Sequence, residues 1–122
     1  MNILAIDYGK KRIGLAWVNT ALGVVLPYGI LGENELPDFI TAEKIDKVIV
    51  GWPIGLDGKE NKNTDAVKTF AEKLKKDIKI SIEFMDERFT SAEADRMGGE
   101  ASRDEKAAML ILQSYIDKQK KK

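Results

Sequence analysis

The chain opens on four consecutive apolar residues, Ile3 to Ile6, and so dense a run predicts a central strand buried on both faces. Asp7 ends it. A second apolar run, Ile13 to Val18, follows too closely for a crossover helix, so the two should form an antiparallel hairpin turning at Gly9. Gly23 to Leu31 is a third apolar stretch, and Pro27 within it favours a sheet edge. Asn34 to Ile45 reads as a short helix with Leu36, Phe39 and Ile40 on one face and Pro37 near its start. Lys47 to Trp52 is a compact strand around Val48-Ile49-Val50, stopped by Gly51 and Pro53, and a loop containing Gly55-Leu56-Asp57-Gly58 follows.

From Thr64 to Lys76 the apolar positions Val67, Phe70, Ala71 and Leu74 have the spacing of an amphipathic helix. Lys79 to Met85 alternates, with Ile80, Ile82 and Phe84 on one face, and predicts a half-buried strand ending at Asp86-Glu87-Arg88. Thr90 and Glu93 form a capping box for a short helix that Gly98-Gly99 ends, and Ser102 and Glu105 form another for a last helix from Arg103 to Lys118. The pattern predicts one domain over residues 1–117 and a frayed basic tail over 118–122. Strands joined through helices run parallel with right-handed crossovers, so three strands followed by alternating helices and strands imply an α/β fold with a mixed five-stranded sheet.

Composition then narrows the chemistry. Lys and Arg number 20, as do Asp and Glu, so no global positive field steers the chain to nucleic acid and any such binding falls to local patches. No Cys and no His occur, which removes thiol nucleophiles, thiolate zinc sites, catalytic triads and imidazole ligands. Catalysis would rest on carboxylates, Lys, Tyr or an oxygen-bound hard metal. No basic leader precedes an apolar segment and no apolar run nears the ~20 residues that span a bilayer, which predicts a cytoplasmic protein without membrane contact.

Ligands of such sheets bind outside the carboxyl ends of the parallel strands. Asp7 ends the first strand and Glu87 the last, and Asp104 lies in the first turn of the closing helix, where the helix dipole favours an anion. Three carboxylates sharing one site repel one another unless a cation such as Mg²⁺ or Mn²⁺ neutralises them. Asp86 competes with Glu87 for the second place, because the parity of Ile80, Ile82 and Phe84 carries it to the core-facing side. Glu105 stands beside Asp104. Taken singly, each acid also fits an ordinary strand end, turn or helix start. The Gly55–Gly58 loop lacks the Lys-Ser/Thr of a P-loop and reads as a turn. Trp17 and Trp52 read as core rather than as base-stacking platforms.

Asp7-x-Gly9 with Lys11-Arg12-Ile13-Gly14-Leu15-Ala16 resembles the first motif of the bacterial YqgF (RuvX) family. Gly51-Trp52-Pro53 with Gly58, Asp86-Glu87-Arg88-Phe89-Thr90-Ser91, and Asp104 leading into Ala107-Ala108 and Leu110-Ile111-Leu112-Gln113-Ser114-Tyr115 resemble its others, in the same order along nearly the whole chain. The resemblance implies an RNase H-like, RuvC-like fold and a metal-dependent nuclease acting on the 5′ end of the 16S rRNA precursor in ribosome biogenesis. It alternatively implies a Holliday-junction resolvase. By the same resemblance Asp7, Glu87 and Asp104 are the catalytic, metal-holding acids.

Lys11, Arg12 and Arg88 are then expected to contact phosphates, Arg as a bidentate fork. Precursor rRNA, branched DNA and the small ribosomal subunit are the expected partners, and the chain is expected to be a monomer or weak homodimer. Two other classes compete. An ATP-binding domain of the actin and sugar-kinase type also opens with Asp-x-Gly, but closes two lobes over its nucleotide, and 122 residues supply one. A non-catalytic ribosome or nucleic-acid binding module could keep the acids as a relic.

Overall fold

The computed structural model describes residues 1–9, 11–53, 62–87, 99 and 101–120, with the backbone alone at 62, 63, 87 and 120. Strands β1 (Asn2–Asp7), β2 (Ile13–Asn19) and β3 (Val25–Leu31) come first. A 3₁₀ turn (Glu33–Glu35), α1 (Leu36–Ala42), β4 (Lys47–Pro53), α2 (Lys62–Asp77), β5 (Ser81–Glu87) and α3 (Arg103–Lys120) follow. The five strands form one mixed sheet in the order β3-β2-β1-β4-β5. β1 is antiparallel to β2 and parallel to β4, and β4 is parallel to β5. This is the expected α/β arrangement, with β1 central and Pro27 on an edge strand.

Both faces of the sheet are covered. On one, Leu4, Ile6, Leu15, Val48 and Val50 pack with Leu36 and Ile40 of α1 and Val67, Phe70 and Leu74 of α2. On the other, Ile3, Ala5, Ala16, Val18 and Ile49 pack with Ala108, Ile111, Leu112 and Tyr115 of α3. Alternation along β1 therefore buries residues of both parities, which is why Ile3 to Ile6 carries no polar position.

Several boundaries differ from expectation. The segment 34–45 divides into a 3₁₀ turn and a seven-residue helix. The helix stops because Lys44 takes a left-handed conformation, φ 53°. The Ile45 N–H then donates to the Ile40 carbonyl, and the Lys44 N–H to that of Thr41, closing a Schellman motif. β5 begins at Ser81 because its ladder with β4 opens at Lys47 opposite Ser81. It is also not half-buried in the expected sense: Ile82 packs on the α1/α2 face and Met85 on the α3 face. α3 continues to Lys120, past the expected end at Lys118. The capping box at Thr90 and Glu93, the loop at Gly55–Gly58 and residues 121–122 lie outside the described residues.

The capping box that opens α3 is reciprocal. The Glu105 N–H donates to Ser102 Oγ at 3.2 Å, and the Ser102 N–H donates to Glu105 Oε1 at 3.0 Å. Glu105 is thereby engaged in holding the helix start. β4 is tied to α2 by Thr64, whose hydroxyl donates to the Pro53 carbonyl at 2.8 Å and is buried.

Candidate active site

The turn between β1 and β2 sits at the carboxyl end of β1. It is tight because of Gly9, where a Cβ would stand 2.6 Å from the Arg12 carbonyl oxygen. Tyr8 anchors it from the other face of the sheet by stacking on Phe70 of α2, with ring centroids 4.5 Å apart. Burial of the Tyr8 phenol, and secondarily the negative charge of Glu33, push its pKa above the ordinary 10.0.

Asp7 pairs in register with Gly14. Both continue the parity of residues that pack under α3: Ile3 and Ala5 on β1, Ala16 and Val18 on β2. The first turn of α3 comes down on Gly14 itself. A Cβ there would overlap the Asp104 carbonyl and lie 2.8 Å from the Asp104 Cβ. Gly14 has no Cβ, so Asp104 can sit directly above the Asp7–Gly14 pair. Two acids 97 positions apart in sequence (104 − 7) are thus brought to the same end of the sheet, Asp104 over the strand partner of Asp7.

Arg12 joins them. Its Nε lies 3.5 Å from Asp104 Oδ2, with the Arg12 side chain 70% and the Asp104 side chain 29% exposed. The expected phosphate-binding arginine is therefore also the ion-pair partner of an expected metal-holding acid. Lys11 is exposed on the same turn.

Glu87 closes β5 opposite Pro53, and its side chain lies outside the described residues, as does all of Arg88. The register still separates the two rivals for the second acidic place. Position 87 has the parity of Met85, the α3 face that Asp7 also shares, whereas Asp86 has the parity of Ile82 and belongs to the opposite face. Core-facing parity does not favour Asp86, because both faces of β5 meet core. Among the described residues no three acids come together as a metal cage. The donor set at the site is nonetheless carboxylate oxygen alone, and the Asp104 carboxylate is solvent-accessible, a chemistry that fits a hard divalent cation and no soft one.

Two features of the site escaped sequence reasoning. Gly14 was visible as part of a motif, but its role in seating a helix needed the helix position. Tyr8 follows Asp7 directly, so it points to the opposite face, a signal that strand alternation could have supplied.

The comparisons with known proteins identify the family. Residues 1–118 match the family described as "RuvX: Holliday junction resolvase". A protein of Dictyoglomus turgidum named "Putative pre-16S rRNA nuclease" is 37% identical, covering 96% of this chain and 94% of the relative. One of the same name from Phocaeicola vulgatus is 37% identical over 97% of this chain and 96% of its own length. Another, from Koribacter versatilis, is 34% identical over 95% of this chain and 86% of its own. Among the described residues no helix is long and apolar enough to cross a membrane. The chain belongs to the RuvX (YqgF) family and has that family's RNase H-like α/β fold.

Proposed function

We propose that the chain is a metal-dependent phosphodiester hydrolase that processes the 5′ end of the 16S rRNA precursor in the cytoplasm. The observation that supports this reading is the seating of Asp104 on Gly14, opposite Asp7, at the carboxyl end of the central strand. Asp7, Asp104 and Glu87 would hold Mg²⁺ or Mn²⁺, with Asp7 central. Such an ion, when bound, eases deprotonation of the attacking water and offsets charge on the scissile phosphate.

The chain's own residues supply the rest. Tyr8 and Gly9 fix the end of β1, so Asp7 does not drift with the turn. Arg12 beside Asp104 limits repulsion between the acids before substrate arrives, and its exposed fork is free to turn toward a phosphate. Lys11 and Arg88 would add phosphate contacts, and such contacts position a strand without reading its sequence. A ribosomal particle would then direct the choice of site.

A branched-DNA substrate is the second reading, favoured by the family's description as a resolvase. The experiment is metal-dependent cleavage of precursor rRNA and four-way DNA junctions side by side, with ATP hydrolysis as control. Cleavage of precursor RNA at a discrete 5′ position is expected. Preferential junction cleavage would establish the second reading. ATP turnover without strand cleavage would overturn both, and loss of all activity with binding retained would leave a binding module.

A further inference from the structure

Trp52 and Phe84 form an aromatic pair that the acidic site does not use. Their rings meet edge to face with centroids 4.7 Å apart at 67°. Phe84 lies on the edge strand β5 and is 47% exposed, although burying a phenylalanine side chain is worth ~1.5–3 kcal/mol. With Ile82 the pair lines one side of a groove of about 230 Å³, and Lys68, Glu72 and Lys75 of α2 line the other. The two lysines are seven positions apart, so they stand roughly 10 Å apart along the helix axis. Neither has an ion-pair partner among the described residues.

We propose that this groove holds an unpaired stretch of the nucleic-acid substrate, one base stacking on Phe84 while Lys68 and Lys75 contact the flanking phosphates. The proposal rests on the nuclease reading above and adds a binding site to it. Charge complementarity selects the occupant. An apolar protein segment would cover the rings and leave the lysines with no counter-charge beyond Glu72. A single strand brings a π face and a phosphate with every nucleotide, the combination that stacking platforms in cationic grooves take without sequence preference.

Position agrees. Trp52 lies one residue past the level of Asp7, because β1 and β4 pair Ile6 with Val50. The Trp52 end of the groove therefore lies at the end of the sheet that carries the acids, on the opposite face, and a strand leaving by that end can round it to reach them. Glu72 is the dissonant group: two lysines less one glutamate leave a net of one positive charge. A phosphate track predicts that removing this acid tightens binding.

The test uses Trp17→Phe as parent, which removes one of the two tryptophans and leaves Trp52 as the sole reporter. Titration with a labelled single-stranded RNA oligonucleotide is followed by Trp52 fluorescence and by anisotropy. Saturable quenching is expected. Phe84→Leu, which keeps apolar bulk without a π face, should weaken binding ~5-fold or more, and Phe84→Tyr should restore it. Lys68→Ala with Lys75→Ala should lower the salt slope by ~0.7 for each phosphate no longer neutralised, and Glu72→Gln should tighten binding. Melting curves establish that each variant is folded. Unchanged affinity and slope in the Phe84→Leu and double-lysine variants would overturn the groove alone if the parent still binds and cleaves. Binding seen by anisotropy with no Trp52 response would do the same. A parent that neither binds nor cleaves any nucleic acid would overturn the groove and the nuclease reading together.

Discussion

Gly14 and Asp104 are in such close contact that no other residue fits at position 14 without moving α3. This approach, more than either acid alone, assembles the site, since Gly14 is also the register partner of Asp7. The first prediction follows from it. Gly14→Ala should destabilise the fold by about 1–3 kcal/mol, the usual range for overpacking. It should also lower cleavage beyond what the lost stability explains, because the first turn of α3 must lift away from β2. Urea melts and cleavage rates at a temperature where the variant is fully folded check both. A stable variant with full activity would show that the position of Asp104 is unimportant.

Asp7→Asn should reduce metal-dependent cleavage by ~10²-fold or more, about 2.7 kcal/mol of barrier, with little change in the fold. The substitution is nearly isosteric and removes one charge. Circular dichroism and single-turnover cleavage in a wild-type-free preparation are the measurements. Retained activity would move the chemistry elsewhere.

Arg12→Ala tests a shared role. The exposed pair with Asp104 is worth ~0–1 kcal/mol of stability, so the melting temperature should barely move. Nucleic-acid affinity should fall across sequences, and its dependence on salt should become shallower as fewer counterions are released. An unchanged affinity and slope would confine Arg12 to its ion pair.

Much of this was legible in the chain because local patterns and the global fold agree. Ile3 to Ile6, the short hairpin, Pro27 and the Ser102–Glu105 box each led to the element observed. The end of α1 was not legible: Lys44 occupies the left-handed position that glycine usually marks, so nothing in the pattern announced the stop. The rivalry between Asp86 and Glu87 could not be settled by alternation either. A strand with a half-buried residue on each face gives each parity a contact with core, and only the register with β4 and the position of α3 tell them apart. Asp7 and Asp104 were separately visible as candidates, but what brings them to the same end of the sheet is the approach of Asp104 to Gly14, a contact between distant segments that no local window contains.

Lys47 provides a prediction about pH. Its ammonium donates to Tyr115 Oη at 3.0 Å and to Glu83 Oε1 at 3.2 Å, joining β4 to α3 and β5. The bond to Tyr115, then that to Glu83, raise its pKa above the ordinary 10.5 against the opposing effect of burial. A group whose pKa is higher folded than unfolded stabilises fully below the unfolded value and loses that contribution as pH climbs through the folded one. Lys47→Met should therefore melt below wild type at neutral pH, by ~1 kcal/mol for a pair whose acid is half exposed. The gap should narrow only above pH 10.5. A gap that is constant with pH would assign the loss to packing.

The final prediction tests the metal without needing the right substrate. If Asp7, Glu87 and Asp104 hold Mg²⁺ or Mn²⁺ in the folded chain and not in the unfolded one, the ion must raise the melting temperature by mass action. At a hundred times its dissociation constant the gain is ~2.7 kcal/mol, roughly ten degrees for a domain of this size. Asp7→Asn should shrink that response, because it removes the central ligand, while Asp86→Asn should leave it intact, because Asp86 lies on the other face of β5. Ca²⁺ also prefers oxygen and can stabilise without supporting cleavage, so it separates binding from competence. Potassium chloride at matched ionic strength controls for screening of the surface charges. Equal shifts in wild type, Asp7→Asn and Asp86→Asn would mean that the ion binds diffusely, and the acidic site would lose its metal.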